Sequence, residues 1–273
     1  MTVIPISDPA DPRVAAFRDI RERDLTGREG RFVAEGTVVL RVLTSKQSLC
    51  GVEAVLLAAN RLGAHQEILG GLSPCTPVFV AGQAVLDAVA GFHLHRGVLA
   101  LGRKPEPVGL ATMLACIDPG STLLAACGIG NHDNMGGLFR NAAAFGAAGV
   151  VLDAHCCDPF YRKSIRVSVG AVLRTPIALG DGAGDVVETL LAAGMDVVAL
   201  SPSAREPLHL ARRRGPTALL VGSEGPGLPS EVIGRCRAVS IPMSGGFDSL
   251  NVATAAAVAL NHFTDPLNCT TAE

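Results

Sequence analysis

Short apolar, β-branched runs alternate with Ala/Leu-rich stretches of helical period from one end of this chain to the other. That alternation is the strongest constraint on the fold, because it calls for helices layered on a mainly parallel sheet, an α/β architecture. In the first part it predicts helices near 12–21, 37–43, 61–69 and 84–90, and strands at 31–34, 53–57, 78–80 and 98–101, enough for a small α/β/α layer. Residues 102–107 then join two prolines to charge without periodicity and make the best linker. The second part restarts with a strand at 122–126, a helix at 135–145 and a strand at 149–152. Asp158-Pro159 reads as a helix cap followed by proline in the first turn, opening a helix toward Val169. Strands near 176–179, 196–200, 218–221 and 239–241, and helices at 185–193 and 251–263, complete the pattern. With 273 residues the natural division is two domains, 1–105 and 106–273.

Composition narrows the class. Hydrophobic residues are 48% and charged ones 18%, which excludes a disordered or fibrous chain. The longest stretch without a charged residue, 68–86, is broken by glycines, prolines and polar residues, and the Ala-rich stretch near the C-terminus is shorter, so neither supplies the ~20 consecutive apolar residues a bilayer demands and no membrane partner is expected. Residues 1–13 lack an apolar leader core, and a cytoplasmic location is the expectation. The eight cysteines form no C-x-x-C pair, and His155-Cys156-Cys157 alternates faces on a strand, so buried reduced thiols and no metal are expected. The first 105 residues carry 12 Lys and Arg against 10 Asp and Glu, and the remainder 11 against 15. Arginines 13, 18, 21, 23, 28 and 31 crowd together among acids, as either a phosphate-binding cluster or a solvated helix would.

Three segments of the second part leave an apolar strand through a Gly-rich, polar turn and enter a helix, the place where parallel α/β sheets bind ligands. They are Gly128 to Ala142, Val221 to Leu228 and Ile241 to Ala253. The first has Gly128-x-Gly130, but Asp133 stands where a dinucleotide fingerprint needs its third glycine and would repel a pyrophosphate. A nucleotide-dependent oxidoreductase is therefore the weakest functional alternative. Asp133 or Asn134 reads as the cap of the following helix, from which Arg140 extends and asks for an anionic partner.

Together the three segments resemble the SpoU/TrmH branch of the SPOUT RNA methyltransferases. Motif 1, N-x-G-x-x-x-R, appears as Asn134-Met135-Gly136 through Arg140, followed by Asn141 where the family usually has Thr. Motif 2, G-x-E-x-x-G-L, runs from Gly222 to Leu228, and motif 3 appears as Ile241-Pro242-Met243 and Ser249-Leu250-Asn251-Val252-Ala253. More loosely, Arg31 to Gly36 and His95 to Ala100 are similar to the family's N-terminal substrate-binding domain of ribosomal-protein L30e type.

The resemblance implies a C-terminal SPOUT domain with a deep trefoil knot and a homodimer through that domain. It further implies transfer of methyl from S-adenosyl-L-methionine to a ribose 2'-hydroxyl of ribosomal or transfer RNA. By motif position, Gly222, Ile241 and Leu250 would hold the cofactor through their backbones, with Met243 and Leu219 lining the pocket. Arg140 would clamp the phosphate beside the target hydroxyl, since a guanidinium keeps its proton and offers donors only. Asn134 would orient that group and Glu224 would hold Arg140 or the ribose. Ser249 and Asn251 would contact substrate, although Ser249 fits a plain helix cap equally well. Arg162, Lys163 and Arg166, and the run Arg212-Arg213-Arg214, either extend an RNA track or lie on solvated surface. With one Tyr and no Trp, RNA would be read through phosphate, 2'-hydroxyl and shape. The rival from another class is a catalytically silent RNA-binding or ribosome-associated protein on the same scaffold.

Overall fold

The computed structural model describes residues 2–18, 26–27, 29–91, 93–245 and 248–264. The expected helix at 12–21 is a 3-10 turn, Pro12–Phe17, and its continuation, with arginines 21, 23 and 28, lies outside the described residues. The first elements are β1 (Thr2–Ile6), β2 (Arg31–Glu35), α1 (Thr37–Leu43), β3 (Gly51–Ala58), α2 (Gln66–Gly70), β4 (Pro77–Ala81), α3 (Gln83–Ala90) and β5 (Val98–Arg103). There follow α4 (Leu110–Ala115), β6 (Thr122–Ala126), α5 (His132–Ala144), β7 (Gly149–Asp153), α6 (Arg162–Val167), β8 (Ile177–Gly180) and α7 (Ala183–Ala192). The chain continues through β9 (Asp196–Leu200), β10 (Glu206–Pro207), β11 (Thr217–Val221), α8 (Ser230–Gly234), β12 (Arg237–Ser240) and α9 (Val252–Thr264).

Two compact units emerge, Met1–Pro105 with Asp158–Arg174, and Glu106–Cys157 with Thr175–Glu273. The segment 158–174, read in sequence as part of the second domain, packs with the first. Its α6 lies on β2, and Phe160 meets Phe32 with ring centroids 5.4 Å apart. Asp158 does not cap α6: it stands four residues before Arg162, and its Oδ1 accepts from the Phe160 amide at 2.8 Å, closing a side-chain turn ahead of the helix.

The first unit holds a five-stranded sheet in the order β1-β4-β3-β5-β2. It is mixed, since β5 runs antiparallel to both β2 and β3 while β1, β4 and β3 are parallel. β1 was not expected because Pro5 interrupts it, yet at a sheet edge a missing donor costs little. Gly102 belongs to β5 and not to a linker; a Cβ there would sit 2.3 Å from the Phe32 ring, so the buried phenylalanine demands glycine. The helix expected at 61–69 is broken into short turns before α2.

The second unit is a seven-stranded parallel sheet, β10-β12-β9-β11-β6-β7-β8, covered on both faces as such sheets require. On one face Leu123, Ala125, Val197 and Leu220 pack with Val187 and Leu190 of α7 and Val232 of α8. Buried Leu138 and Phe139 of α5 and Leu260 and Phe263 of α9 contribute the other helical layer. Buried Arg213 ties this unit together: its guanidinium donates to the carbonyls of Gly215 at 2.9 Å, Phe263 at 3.2 Å and Ser121. Arg213 is thus a structural residue at 5% exposure, and the reading of 212–214 as an RNA-facing run fails at its centre. Arg237 plays a similar part, donating to Glu206 at 2.9 Å and Asp196 at 3.0 Å and so joining β12 to β10 and β9. Among the described residues no helix is long and apolar enough to cross a membrane.

Candidate functional site

The three Gly-rich turns leave the carboxyl ends of β6, β11 and β12, which the parallel register sets on one edge of the sheet. After β6 the chain turns sharply at Gly128, φ +68°, whose amide donates to buried Asp153 Oδ1 at 2.9 Å. The same oxygen accepts from His155 N at 3.2 Å, and the Ile129 amide reaches Cys156 Sγ at 3.4 Å. The His155-Cys156-Cys157 stretch thereby braces this turn, and burial pushes the Cys156 thiol up to about 12. Burial also raises Cys50 and Cys127, whereas Cys75 and Cys116 are exposed, contrary to the expectation of buried thiols throughout.

α5 begins earlier than expected. Asn131 is its cap, accepting from the Asp133 amide at 2.7 Å, which releases Asn134 into the first turn. There Asn134 is buried, and its Oδ1 accepts from Asn251 Nδ2 at 2.8 Å. The second hydrogen of that Asn251 amide goes to Glu224 Oε1 at 2.9 Å. Asn251 Oδ1 caps α9 by accepting from Ala253 N at 3.0 Å and Thr254 N at 3.2 Å. One side chain therefore joins all three motifs, and it holds the capping role that Ser249 could have filled. Ser249 itself is exposed.

Beside this junction α5 and α9 pack closely. A Cβ on Gly137 would lie 2.7 Å from the Ala253 Cβ, and Asn141 Nδ2 donates to the Ala253 carbonyl at 2.7 Å. Asn141, noted in the sequence only as a departure from Thr, thus secures the first turn of α9. Arg140, the residue before it, is exposed and has no hydrogen-bonding or ionic partner among the described residues. The expectation that Glu224 holds Arg140 is not met: the Asn251 amide takes both Asn134 and Glu224 and leaves the guanidinium to solvent.

A cavity of about 700 Å³ opens against this junction. Gly222, Glu224, Ile241, Met243, Ser249, Leu250 and Asn251 all line it. Asn134, Arg140 and Leu219 are not part of its wall. Leu219 is fully buried in the middle of β11, two residues short of the turn, because only the strand end reaches the cavity. Ser201 and Ser203, after β9, also line it, with their hydroxyls 3.0 Å apart. Sequence reading missed them, and only the position of β9 between β12 and β11 would have revealed them. Gly222 is obligatory, since a Cβ there would stand 2.5 Å from the backbone of Gly227 and Leu228 across the turn. The wall therefore combines apolar residues such as Val221, Leu228 and Met243 with the polar Ser201, Ser203, Glu224 and Asn251, suited to a ligand with both apolar and hydrogen-bonding surface.

Residues 121–261 match the SpoU rRNA Methylase family. The chain is 38% identical over 266 residues to an uncharacterized tRNA/rRNA methyltransferase of Mycobacterium tuberculosis, spanning 93% of this chain and 89% of that one. The solved SpoU methyltransferase AviRb from Streptomyces viridochromogenes, in complex with the cofactor AdoMet, superposes with a TM-score of 0.75 at 25% identity, covering 92% of this chain and 95% of that one. A solved RNA 2'-O ribose methyltransferase gives a TM-score of 0.75 at 26% identity, covering 95% and 98%.

Proposed function

This chain belongs to the SpoU rRNA Methylase family, and from that membership we propose that it methylates a ribose 2'-hydroxyl of ribosomal or transfer RNA, with S-adenosyl-L-methionine as methyl donor. The observation that carries the reading is the Asn251 amide, which gathers Asn134, Glu224 and the cap of α9 at the mouth of the cavity. The names of the similar solved proteins, an AdoMet complex and a ribose 2'-O methyltransferase, support it.

The residues present fit the cofactor. Gly222 lets the backbone of Gly227 and Leu228 fold back against it, where any Cβ would clash, and so shapes the turn after β11 at the cavity wall; the backbones of Gly222, Ile241 and Leu250 would bind the adenosine, with Met243 against its apolar surface. When bound, the cofactor supplies a methyl carbon already attached to a good sulfonium leaving group. The protein's task is then to present the hydroxyl in line, and ideal alignment can remove up to ~7 to 11 kcal/mol of barrier. Arg140, exposed and uncommitted to any carboxylate, grips the phosphate next to the target ribose and stabilises the oxygen as its proton leaves. A guanidinium cannot accept that proton, which passes to phosphate oxygen or water. Asn134 and Glu224, fixed by Asn251, border the hydroxyl's position, and Ser249 contacts the substrate from the cavity rim.

In the same reading the turn at 222–228 and the chain that leaves β12 at Ile241 form the crossings of a trefoil knot, and α5 with α9 forms a homodimer face, in keeping with their small residues and with Val258 at 42% exposure. Residues 1–105 serve as an L30e-like RNA-binding domain. Calorimetry with S-adenosylhomocysteine and transfer of labelled methyl to bulk RNA test the proposal together. Binding with transfer supports it, and binding without transfer favours the silent RNA-binding alternative.

A further inference from the structure

Most arginines of the first unit that touch another side chain touch an acid. Arg13 pairs with Asp11, Arg31 with Glu29 and Glu53, Arg103 with Glu53, and Arg162 approaches Glu35 at 3.9 Å. Arg61 and Arg96 are different. Both are exposed, neither has an ionic or hydrogen-bonding side-chain partner among the described residues, and each lies across a glycine.

The glycines are required for this. At Gly36, φ +93°, a Cβ would be 2.8 Å from Arg96 Cδ and 3.1 Å from its Nη1. At Gly97, φ +62°, a Cβ would be 3.4 Å from Arg61 Cγ and 3.3 Å from the Ala58 Cβ. The strand ends are coupled directly, Gly36 N to the Val98 carbonyl at 3.0 Å and Ala58 N to the Gly97 carbonyl at 2.9 Å. Buried His65 closes the circuit, with Nδ1 2.8 Å from the Arg61 carbonyl and Nε2 2.9 Å from the Thr37 hydroxyl, next to Gly36. The result is a closed ring: Arg96 over Gly36, Thr37 to His65, His65 to Arg61, and Arg61 over Gly97, the neighbour of Arg96. The nearest carboxylate in sequence, Glu35, is directed to Arg162.

We propose that Arg61 and Arg96, held in this ring, bind consecutive phosphodiesters of the RNA backbone, with Thr37 as an adjoining hydroxyl. The proposal rests on the RNA-methyltransferase reading above. Two unpaired arginines whose side chains are packed over glycine backbone lose less freedom on binding than free ones, and guanidiniums match phosphate geometry in two-pronged fashion. The one aromatic side chain in this ring of contacts, His65, is buried and holds Thr37 and Arg61 in place, so the site grips the strand and does not read bases.

The test is filter binding of total ribosomal RNA over a series of NaCl concentrations, with labelled methyl incorporation followed in the same samples. Each phosphate contact adds ~0.7 to 0.9 to the slope of log affinity against log salt. The double variant Arg61→Gln, Arg96→Gln should therefore lower the slope by about 1.5, with unaltered thermal melting and unaltered S-adenosylhomocysteine binding. Arg13→Gln, at a paired arginine, should leave the slope unchanged. A double variant with the wild-type slope, or a wild type whose RNA binding ignores salt, overturns the site. Methyl incorporation by the wild type with an unchanged variant slope overturns the site alone. Absence of incorporation by the wild type overturns the enzymatic reading, and the slope still decides whether the arginines bind RNA.

Discussion

Asn251 and Asn134, separated by 117 residues of chain, are joined amide to amide at 2.8 Å. Since the same Asn251 side chain also caps α9 and holds Glu224, its cap and its bridge can be separated by mutation. Asn251→Ser keeps an oxygen for capping but has no amide to donate. It should cost stability only the ~1 to 3 kcal/mol of leaving buried Asn134 unpaired, yet reduce methyl transfer at least ~100-fold, the scale of losing a positioned polar group. Asn251→Ala should lose a further ~1 kcal/mol with the cap. Urea denaturation beside single-turnover methyl transfer checks both. Equal stabilities for the two variants would refute the capping role.

Gly137→Ala is the second prediction. In an isolated helix this change would add ~1 kcal/mol of stability. Here the new Cβ meets the Ala253 Cβ at 2.7 Å, so α5 and α9 must separate. The variant should instead be destabilised by ~1 to 3 kcal/mol, as overpacked cores are, measured as a lower denaturant midpoint. An unchanged or higher midpoint would show that the helices have room to move.

Arg213 gives a third. Lysine cannot reproduce three guanidinium bonds to Gly215, Phe263 and Ser121, so carbonyls inside the second unit lose their donor. Arg213→Lys should lower stability by ~2 kcal/mol or more, while the salt dependence of RNA binding by the folded variant stays at the wild-type value. A reduced salt slope would restore Arg213 to the RNA-facing surface.

The pair Glu206 and Arg237 makes stability depend on pH. Hydrogen bonding by the Arg237 guanidinium, opposed by burial, holds the Glu206 carboxyl below its ordinary 4.5. A carboxyl that titrates lower when folded stabilises the fold above its unfolded value and loses that contribution as pH falls toward the folded value. The midpoint difference between wild type and Glu206→Gln should thus be constant above about pH 5.5 and shrink below about 4.5. A difference that grows on acidification would contradict the assignment.

Much of the site was legible in the sequence because glycines and polar residues interrupt apolar strands at three points, and parallel strands must bring such ends to one edge. The segments that carry Gly222, Met243 and Asn251 follow from that logic, the choice of those residues follows from the resemblance of the motifs, and all three reach the cavity. Leu219 does not, because a strand residue two positions before the turn belongs to the core. The cap of α5 was misplaced because Asn131, Asp133 and Asn134 are all competent caps, and only the burial of Asn134 against Asn251 decides among them. Ser201 and Ser203 escaped notice because strand order is a tertiary fact. The allegiance of 158–174 to the first unit was hidden for a related reason: Phe160 finds Phe32 across more than a hundred residues, and no local pattern announces it.

The most direct test is mass-spectrometric analysis of nucleosides from RNA incubated with this protein and isotope-labelled S-adenosylmethionine. The account predicts the label on the 2'-oxygen of a ribose, with incorporation at least ~100-fold slower for Arg140→Ala while S-adenosylhomocysteine binding persists. Label on a nucleobase, or full incorporation by Arg140→Ala, would contradict it.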